Sequence, residues 1–203
     1  MINMFLSSSF SDVAEKFTNY LKDFPNERRV TFIPTASLVE EVDFFVDEAK
    51  QVFENLNFSV DVLDISTENS STIANTLEKN DFIYISGGNT FYLLEQLKAS
   101  GAFEVLLSKI NAGKIYIGES AGAVITSENI DYASQMDDKS KAPTLNSYTG
   151  LNLIPYSPLP HYKEEPFSQI TIDIFNKYDK INDMIPLTNS EALIVKDTSL
   201  TVI

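Results

Sequence analysis

The strongest chemical signal in the sequence is Gly118-Glu119-Ser120-Ala121-Gly122-Ala123, a G-x-S-x-G pattern between an apolar run and a helical segment. A sharp turn from a strand into a helix lifts a serine hydroxyl out of a sheet, and small neighbours let the backbone pass close to itself. The pattern therefore predicts that Ser120 is a nucleophile. The alternative is a serine that only caps the helix that follows it.

A second glycine-containing corner is Ser86-Gly87-Gly88-Asn89-Thr90, which follows the apolar run 82–85. Consecutive glycines let backbone N–H groups face a ligand, and the start of a helix adds a positive partial charge. We predict that the N–H groups of Gly88 and of Ala121, the residue after the nucleophile, form an oxyanion hole. Taken alone, the corner is more typical of a tight turn that Asn89 caps.

The only histidine of the chain is His161, within Pro158-Leu159-Pro160-His161-Tyr162. A serine nucleophile needs a base whose pKa lies near the working pH, and imidazole is the usual one. We therefore predict that His161 is the general base for Ser120, although a lone histidine in an arbitrary protein is more often structural. One histidine and no cysteine argue against a zinc hydrolase.

Several carboxylates could orient the imidazole of His161, and spacing alone does not choose among them. The candidates between the serine and the histidine, and after the histidine, are Asp131, Asp137, Asp138, Glu164, Glu165 and Glu191. Glu164 and Glu165 are so near His161 in sequence that reaching its far ring nitrogen is difficult. Glu191 lies where two apolar runs meet, which could hold an acid rigidly. For each of them a solvated surface charge is the alternative.

Short apolar runs alternate with amphipathic segments along most of the chain. The predicted strands are 4–7, 30–34, 58–65, 82–86 and 114–118, and the predicted helices are 38–56, 71–78 and 90–99. This alternation predicts an α/β fold with a mostly parallel sheet flanked by helices. Both glycine corners fall at carboxyl ends of strands, where such sheets carry their sites. The segments 185–188, 192–195 and 199–203 predict a C-terminal antiparallel meander.

Length and composition narrow the class of protein. A chain of 203 residues predicts one domain over 1–203, and 15 Lys and Arg against 29 Asp and Glu disfavour nucleic acid or an anionic membrane as partner. The absence of cysteine excludes disulfides and a thiolate nucleophile, and it fits a reducing compartment. Without a cationic leader or an apolar stretch of membrane-spanning length, the sequence predicts a cytoplasmic location.

The chain resembles the peptidase E family of aspartyl dipeptidases, which also includes cyanophycinase. The shared features are the Gly-Gly-Asn-Thr corner at 87–90, the elbow at 118–123 and the Pro160-His161 segment. The resemblance implies a class I glutamine-amidotransferase-like fold and a Ser-His-Glu triad without metal or cofactor. Carried over by position, the triad is Ser120, His161 and Glu191. The expected activity is that of a serine peptidase acting on small peptides, as a monomer or homodimer.

One feature departs from the family pattern. Members that cleave after an N-terminal aspartate carry an arginine in the helix after the catalytic histidine, and here residues 164–170 contain none. A bidentate clamp on an aspartate side chain is therefore absent from this stretch, and Lys163 could replace it only as a point charge. We predict Asn89 and Lys163 as substrate-binding residues. An esterase or lactonase on the same site, and a non-enzymatic binding module on the same fold, are the rival interpretations.

Overall fold

Strands and helices alternate along residues 2–24 and 28–203, the part of the chain that the computed structural model describes. Met1 and residues 25–27, which the one-domain prediction also covers, lie outside the described residues. The strands are β1 (Asn3–Ser7), β2 (Arg29–Ile33), β3 (Ser59–Val62), β4 (Phe82–Ile85), β5 (Ile115–Glu119), β6 (Ser157–Leu159), β7 (Met184–Pro186), β8 (Ala192–Lys196) and β9 (Ser199–Val202). The α-helices are α1 (Ala14–Tyr20), α2 (Phe44–Asn55), α3 (Ser70–Lys79), α4 (Thr90–Ser100), α5 (Ala102–Asn111), α6 (Ala121–Val124) and α7 (Ser168–Asn182).

The main sheet has the order β3-β2-β4-β5-β1-β8-β9. The first five strands in this order are parallel, whereas β8 is antiparallel to β1 and β9 is antiparallel to β8. Ile85 lies opposite Gly118, and Ser7 lies opposite Glu119, so β4, β5 and β1 end at the same edge. The predicted α/β fold, with a mostly parallel sheet and antiparallel C-terminal strands, is confirmed.

Each face of the sheet is covered because the central strands are apolar on both sides. All four residues of β4 are buried. Ile83 and Ile85 face a core formed with α3, α4 and α5, whereas Phe82 and Tyr84 face an aromatic core with α1 and α2. Side chains alternate between the faces of a strand, so burial on both faces produces the uninterrupted apolar run seen in the sequence.

The helix predicted over 38–56 begins only at Phe44. Residues 35–39 form a 3-10 helix instead, and bends follow it. Leu38 and Val42, two of the apolar residues that supplied the helical spacing, are 52% and 56% exposed. Leu38 and Val42 therefore lie in an exposed segment before the helix, and the buried apolar face belongs to α2, which follows them.

The segment predicted at 185–188 does not join the C-terminal antiparallel strands. It contributes to β7, which pairs in parallel with β6 in a separate two-stranded sheet. Strand β6 ends just before His161 in the chain, and its pairing with β7 sets where the histidine emerges. Helices α1, α5 and α7 are additional to the predicted elements. Within the described residues, no helix is both long and apolar enough to cross a bilayer.

Candidate active site

Ser120 occupies a strained turn between β5 and α6. Its backbone has φ 47° and ψ −104°, a combination that residues other than glycine rarely adopt. The Ser120 N–H donates to the Ser7 carbonyl at 2.9 Å, which anchors the turn to β1. A Cβ on Gly118 would lie 2.3 Å from the Gly122 carbonyl oxygen, so the turn closes only with glycine there. This geometry is that of a nucleophile elbow.

The imidazole of His161 lies against the serine. Its Nε2 is 3.0 Å from Ser120 Oγ, across 41 positions of sequence. The His161 backbone has φ 57°, and its N–H donates to Ser8 Oγ at 3.1 Å, while Ser8 Oγ donates to the Leu187 carbonyl at 2.9 Å. The ring of Phe167 stacks on the imidazole with 5.3 Å between centroids. The structure thus brings together the two residues that the sequence predicted as nucleophile and base.

Burial lowers the pKa of His161 from its ordinary value, and the contacts with Asn189 and Glu164 oppose that shift. A neutral imidazole is therefore favoured in the resting site. With a proton on Nδ1, the lone pair of Nε2 faces Ser120 and can accept its hydroxyl proton.

The residue at the other ring nitrogen is Asn189, where the resemblance implied Glu191. Asn189 Oδ1 is 2.8 Å from His161 Nδ1. The Glu191 carboxylate turns back within its own loop, where Oε2 accepts hydrogen bonds from the Thr188 N–H and hydroxyl, both at 2.8 Å. Glu191 is thereby held away from the imidazole, and the structure does not bring it to His161. A search for carboxylates alone passes over Asn189, although it lies in the same turn.

The other acidic candidates also have partners elsewhere. Asp131 pairs with Lys139, Asp137 accepts from the Thr90 N–H at 2.9 Å, and Asp138 accepts from the Ser140 N–H at 2.8 Å. Glu164 lies 3.4 Å from the Asn189 N–H, behind the residue that contacts the imidazole. Within residues 2–24 and 28–203, neither these carboxylates nor Glu165 forms a hydrogen bond with the His161 ring.

The predicted oxyanion donors lie in the two glycine corners. Gly88 has φ +125°, and a Cβ there would lie 2.2 Å from the Ala36 carbonyl oxygen, so only glycine fits. A Cβ on the preceding Gly87 would approach Ser120 Cβ to 3.3 Å, which places this corner beside the nucleophile. Neither the Gly88 N–H nor the Ala121 N–H donates to an acceptor among the described residues. Both donors are therefore available to a ligand.

The two predicted substrate-binding residues, Asn89 and Lys163, are not among the described residues that line the cavity at Ser120 and His161. Asn89 is 1% exposed, and its Oδ1 accepts from the Tyr92 N–H at 3.0 Å while its Nδ2 donates to the Asp138 carbonyl at 3.1 Å. Asn89 is thus the cap of α4, which is the alternative that the corner alone favoured. Lys163 is exposed, and its ammonium lies 5.0 Å from the Tyr162 ring centroid.

A cavity of about 650 Å³ opens above Ser120 and His161. Its apolar wall comes from Val42, Phe44, Phe45 and Met136. Six carboxylates also line it, namely Asp12, Glu40, Glu48, Glu119, Asp137 and Glu165. No lysine or arginine is among the described residues that line it. The lining is therefore acidic, and its described residues offer no cationic partner to an acidic substrate.

Glu119 is a site residue that sequence reasoning missed. It occupies the variable position of the elbow, is 3% exposed, and has its pKa raised to about 7, mainly by burial. Its position directly before Ser120 was the available signal. The described residues contain no group of three or more His, Cys, Asp or Glu that could hold a metal ion.

Residues 4–203 match Peptidase family S51. An uncharacterized peptidase of Listeria innocua is 51% identical over 97% of this chain and 94% of its own length. Peptidase E of a Nostoc species is 25% identical over 78% of this chain and 65% of its own length.

Two solved structures share the fold. A Listeria monocytogenes EGD-e protein provisionally named a peptidase E superimposes with a TM-score of 0.94 and 47% identity, covering 100% of this chain and 98% of that one. A peptidase from an acI-B1 Actinobacterium has a TM-score of 0.74 at 17% identity, over 100% of this chain and 88% of that one, which is a similarity of fold. The resemblance to peptidase E is thereby confirmed, and the chain belongs to peptidase family S51 and is a peptidase.

Proposed function

We propose that this protein is a serine peptidase that hydrolyses small peptides, with Ser120 as nucleophile, His161 as general base and Asn189 as the residue that orients the base. The observation that carries the proposal is the 3.0 Å contact between Ser120 Oγ and His161 Nε2. The strained backbone of Ser120 supports it, because an elbow of this shape presents the hydroxyl to a substrate.

In the acylation step, Ser120 Oγ attacks the carbonyl carbon of the scissile bond while its proton moves to His161 Nε2. The negative charge that develops on the carbonyl oxygen accepts hydrogen bonds from the Gly88 and Ala121 N–H groups. The C–N bond then breaks, and the imidazolium donates its proton to the leaving amine. In deacylation, water loses a proton to His161 Nε2 and attacks the acyl carbon. The bond from that carbon to Ser120 Oγ then breaks, the imidazolium returns the proton to Oγ, and the carboxylic acid product leaves.

Asn189 differs from an aspartate or glutamate in this role because its carboxamide is neutral. Its Oδ1 can accept the Nδ1 proton of His161, which fixes the tautomer that leaves Nε2 free. It stabilises the imidazolium through a dipole, whereas a carboxylate would add a full charge. We therefore expect the pKa of His161 to be lower than it would be with a carboxylate at this position.

The cavity supports a small substrate. Its volume of about 650 Å³ lies within the range of small-molecule sites, roughly 300–1,000 Å³. An aspartate side chain buried there would need a cation, because an unpaired buried carboxylate costs several kcal/mol. With six carboxylates and no described lysine or arginine in the lining, we propose that strong preference for an N-terminal aspartate is absent.

The test combines active-site labelling with matched kinetics. A fluorophosphonate probe should label the wild type and leave Ser120→Ala unlabelled. Dipeptide amides and esters of the same acyl group then separate a peptidase from an esterase or lactonase, since a peptidase must turn over the amides. Failure of the probe to label Ser120, or turnover of the esters alone, would contradict the proposal.

A further inference from the structure

Glu119 is an ionisable side chain at the most crowded point of the elbow. It is the last residue of β5, immediately precedes Ser120, and is only 3% exposed. The neighbours of the serine at 118 and 121–123 are glycine or alanine, as close packing requires. A long acid in this position is costly to bury, so its contacts must compensate for the lost hydration.

The carboxylate of Glu119 joins three segments that surround the nucleophile. Its Oε1 accepts from the Phe10 N–H at 2.7 Å, in the loop after β1. Its Oε2 accepts from the hydroxyl of Tyr84, which lies on β4. The Gly87 N–H also favours the charged carboxylate and belongs to the corner after β4. One side chain thus connects the ends of β1, β4 and β5 around Ser120.

The contact with Gly87 matters because the Gly87-Gly88 corner has little intrinsic rigidity. Glycine has no Cβ to restrict its backbone, and two in succession could rotate the peptide that carries the Gly88 N–H. This N–H is useful to an oxyanion only when it points at the reacting carbonyl. Gly87 lies against Ser120, so a restraint on its peptide acts directly on the distance between oxyanion donor and nucleophile.

The oxygens of Glu119 face donors of the protein itself. The Phe10 N–H and the Tyr84 hydroxyl donate to the carboxylate, and the Gly87 N–H favours its charged form. Contact with substrate is therefore not its main task, and the carboxylate acts through the segments that it holds.

We propose that Glu119 is a positioning residue that holds the Gly87-Gly88 corner and the loop after β1 in register with Ser120, so that the Gly88 N–H faces the oxyanion. The inference rests on the proposed serine mechanism and deepens it. A positioning residue of this kind affects the transition state more than substrate binding, because the charge on the oxygen develops only during the reaction.

The experiment compares Glu119→Gln and Tyr84→Phe with the wild type and with a control, Ile110→Val. Ile110 is fully buried in α5 and does not line the cavity, so the control loses a little stability without touching the corner. The readouts are kcat and KM on one dipeptide amide, the inhibition constant of a peptidyl aldehyde that forms a tetrahedral adduct, and thermal unfolding.

We expect Glu119→Gln to lower kcat about 10- to 100-fold with KM nearly unchanged, and to weaken aldehyde binding in parallel, because a donor misplaced by about 1 Å costs this much. Tyr84→Phe removes only the hydroxyl that donates to Glu119 Oε2 and should lower kcat less, by about 3- to 10-fold. Ile110→Val should keep the wild-type kcat even when its unfolding temperature falls as far as that of Glu119→Gln or Tyr84→Phe.

The inference is overturned if Glu119→Gln keeps wild-type kcat and aldehyde affinity, or if KM alone changes. If Glu119→Gln does not fold, Tyr84→Phe provides the test. Unchanged kcat and aldehyde affinity in Tyr84→Phe would then overturn the inference. Failure of the serine mechanism is distinguishable, because the wild-type enzyme would then resist the fluorophosphonate probe or Ser120→Ala would stay active.

Discussion

Asn189 Oδ1 lies 2.8 Å from His161 Nδ1, on the side of the imidazole opposite Ser120. A neutral carboxamide therefore holds the base of the proposed triad. The hydrogen bond fixes the orientation of the ring, and the absence of a full negative charge leaves the pKa of His161 to be set mainly by burial. Several predictions about activity depend on this pair.

The first prediction separates Asn189 from Glu191. Asn189→Ala should lower kcat on the order of 100-fold, because the imidazole loses its orienting partner. Glu191→Gln should leave kcat nearly unchanged and cost at most about 1 kcal/mol of stability, since it disturbs only the hydrogen bonds to Thr188. Steady-state kinetics measure kcat and urea unfolding measures stability in both variants. A larger loss of kcat in Glu191→Gln than in Asn189→Ala would identify Glu191 as the residue that orients His161.

The second prediction concerns pH. Burial lowers the pKa of His161 below 6.5, so the acid limb of kcat/KM should lie below that of a free imidazole. Asn189→Asp places a carboxylate at Nδ1, which favours the imidazolium and should move the acid limb to higher pH. Profiles of kcat/KM from pH 4.5 to 8 test this.

Glu119 and Asp137 also titrate nearby, with pKa values raised to about 7 and about 6, so the comparison between variant and wild type isolates the histidine. An unmoved limb in Asn189→Asp would mean that another group controls it.

The third prediction concerns the nucleophile. Ser120→Ala should leave the fold intact and reduce turnover by several orders of magnitude, as in other triad knockouts. The alanine keeps the Cβ and therefore the backbone strain, so circular dichroism and the unfolding temperature should match those of the wild type. A variant with most of its activity would remove Ser120 from the mechanism.

The fourth prediction concerns specificity. Across a series of X-Leu dipeptides at fixed ionic strength, neutral and cationic N-terminal residues should give kcat/KM at least as high as aspartate. The reason is the lining of the cavity, which contains six carboxylates and no described lysine or arginine. A preference for aspartate above about 100-fold, or about 2.7 kcal/mol, would require a cation from outside this lining, such as one from a second subunit.

The fifth prediction concerns stability and pH. Burial raises the pKa of Glu119 from 4.5 to about 7 in the folded protein. Between pH 4.5 and pH 7, the native state therefore keeps a proton that the unfolded state has lost. The contribution of Glu119 to stability is therefore present below pH 4.5 and falls as pH rises through 7, by at most about 3 kcal/mol. The unfolding free energy of the wild type minus that of Glu119→Gln should decrease from pH 5 to pH 8. His161 titrates in both proteins, so its opposite effect cancels in this difference, and a difference that does not change with pH would contradict the prediction.

The sheet and the reactive pair could be predicted from local patterns. The runs 82–85 and 115–117 are apolar because both faces of these strands are buried. The glycine pattern around Ser120 is required by backbone contacts as close as 2.3 Å. His161 could be assigned because the chain has no second imidazole.

Other features depend on tertiary contacts that no local pattern carries. The partner of His161 is decided by how the turn 188–191 folds, since Glu191 bonds back to Thr188 and leaves Asn189 facing the ring. The pairing of β7 with β6 joins segments about 27 residues apart, so the apolar run at 185–188 was indistinguishable from a strand of the main sheet. The role of Glu119 could not be predicted because the groups that bond its carboxylate, the Phe10 N–H and the Tyr84 hydroxyl, come from other parts of the chain.

The backbone of Ser120 has a consequence for how the protein resists unfolding. At φ 47° and ψ −104°, a side chain costs about 1–3 kcal/mol relative to glycine, which adopts such angles freely. A chain optimised only for durability would therefore carry glycine at position 120 and would lack the hydroxyl. The surrounding sheet must therefore hold Ser120 in an unfavourable conformation, and part of the stability of the fold is spent on keeping its oxygen turned toward the cavity.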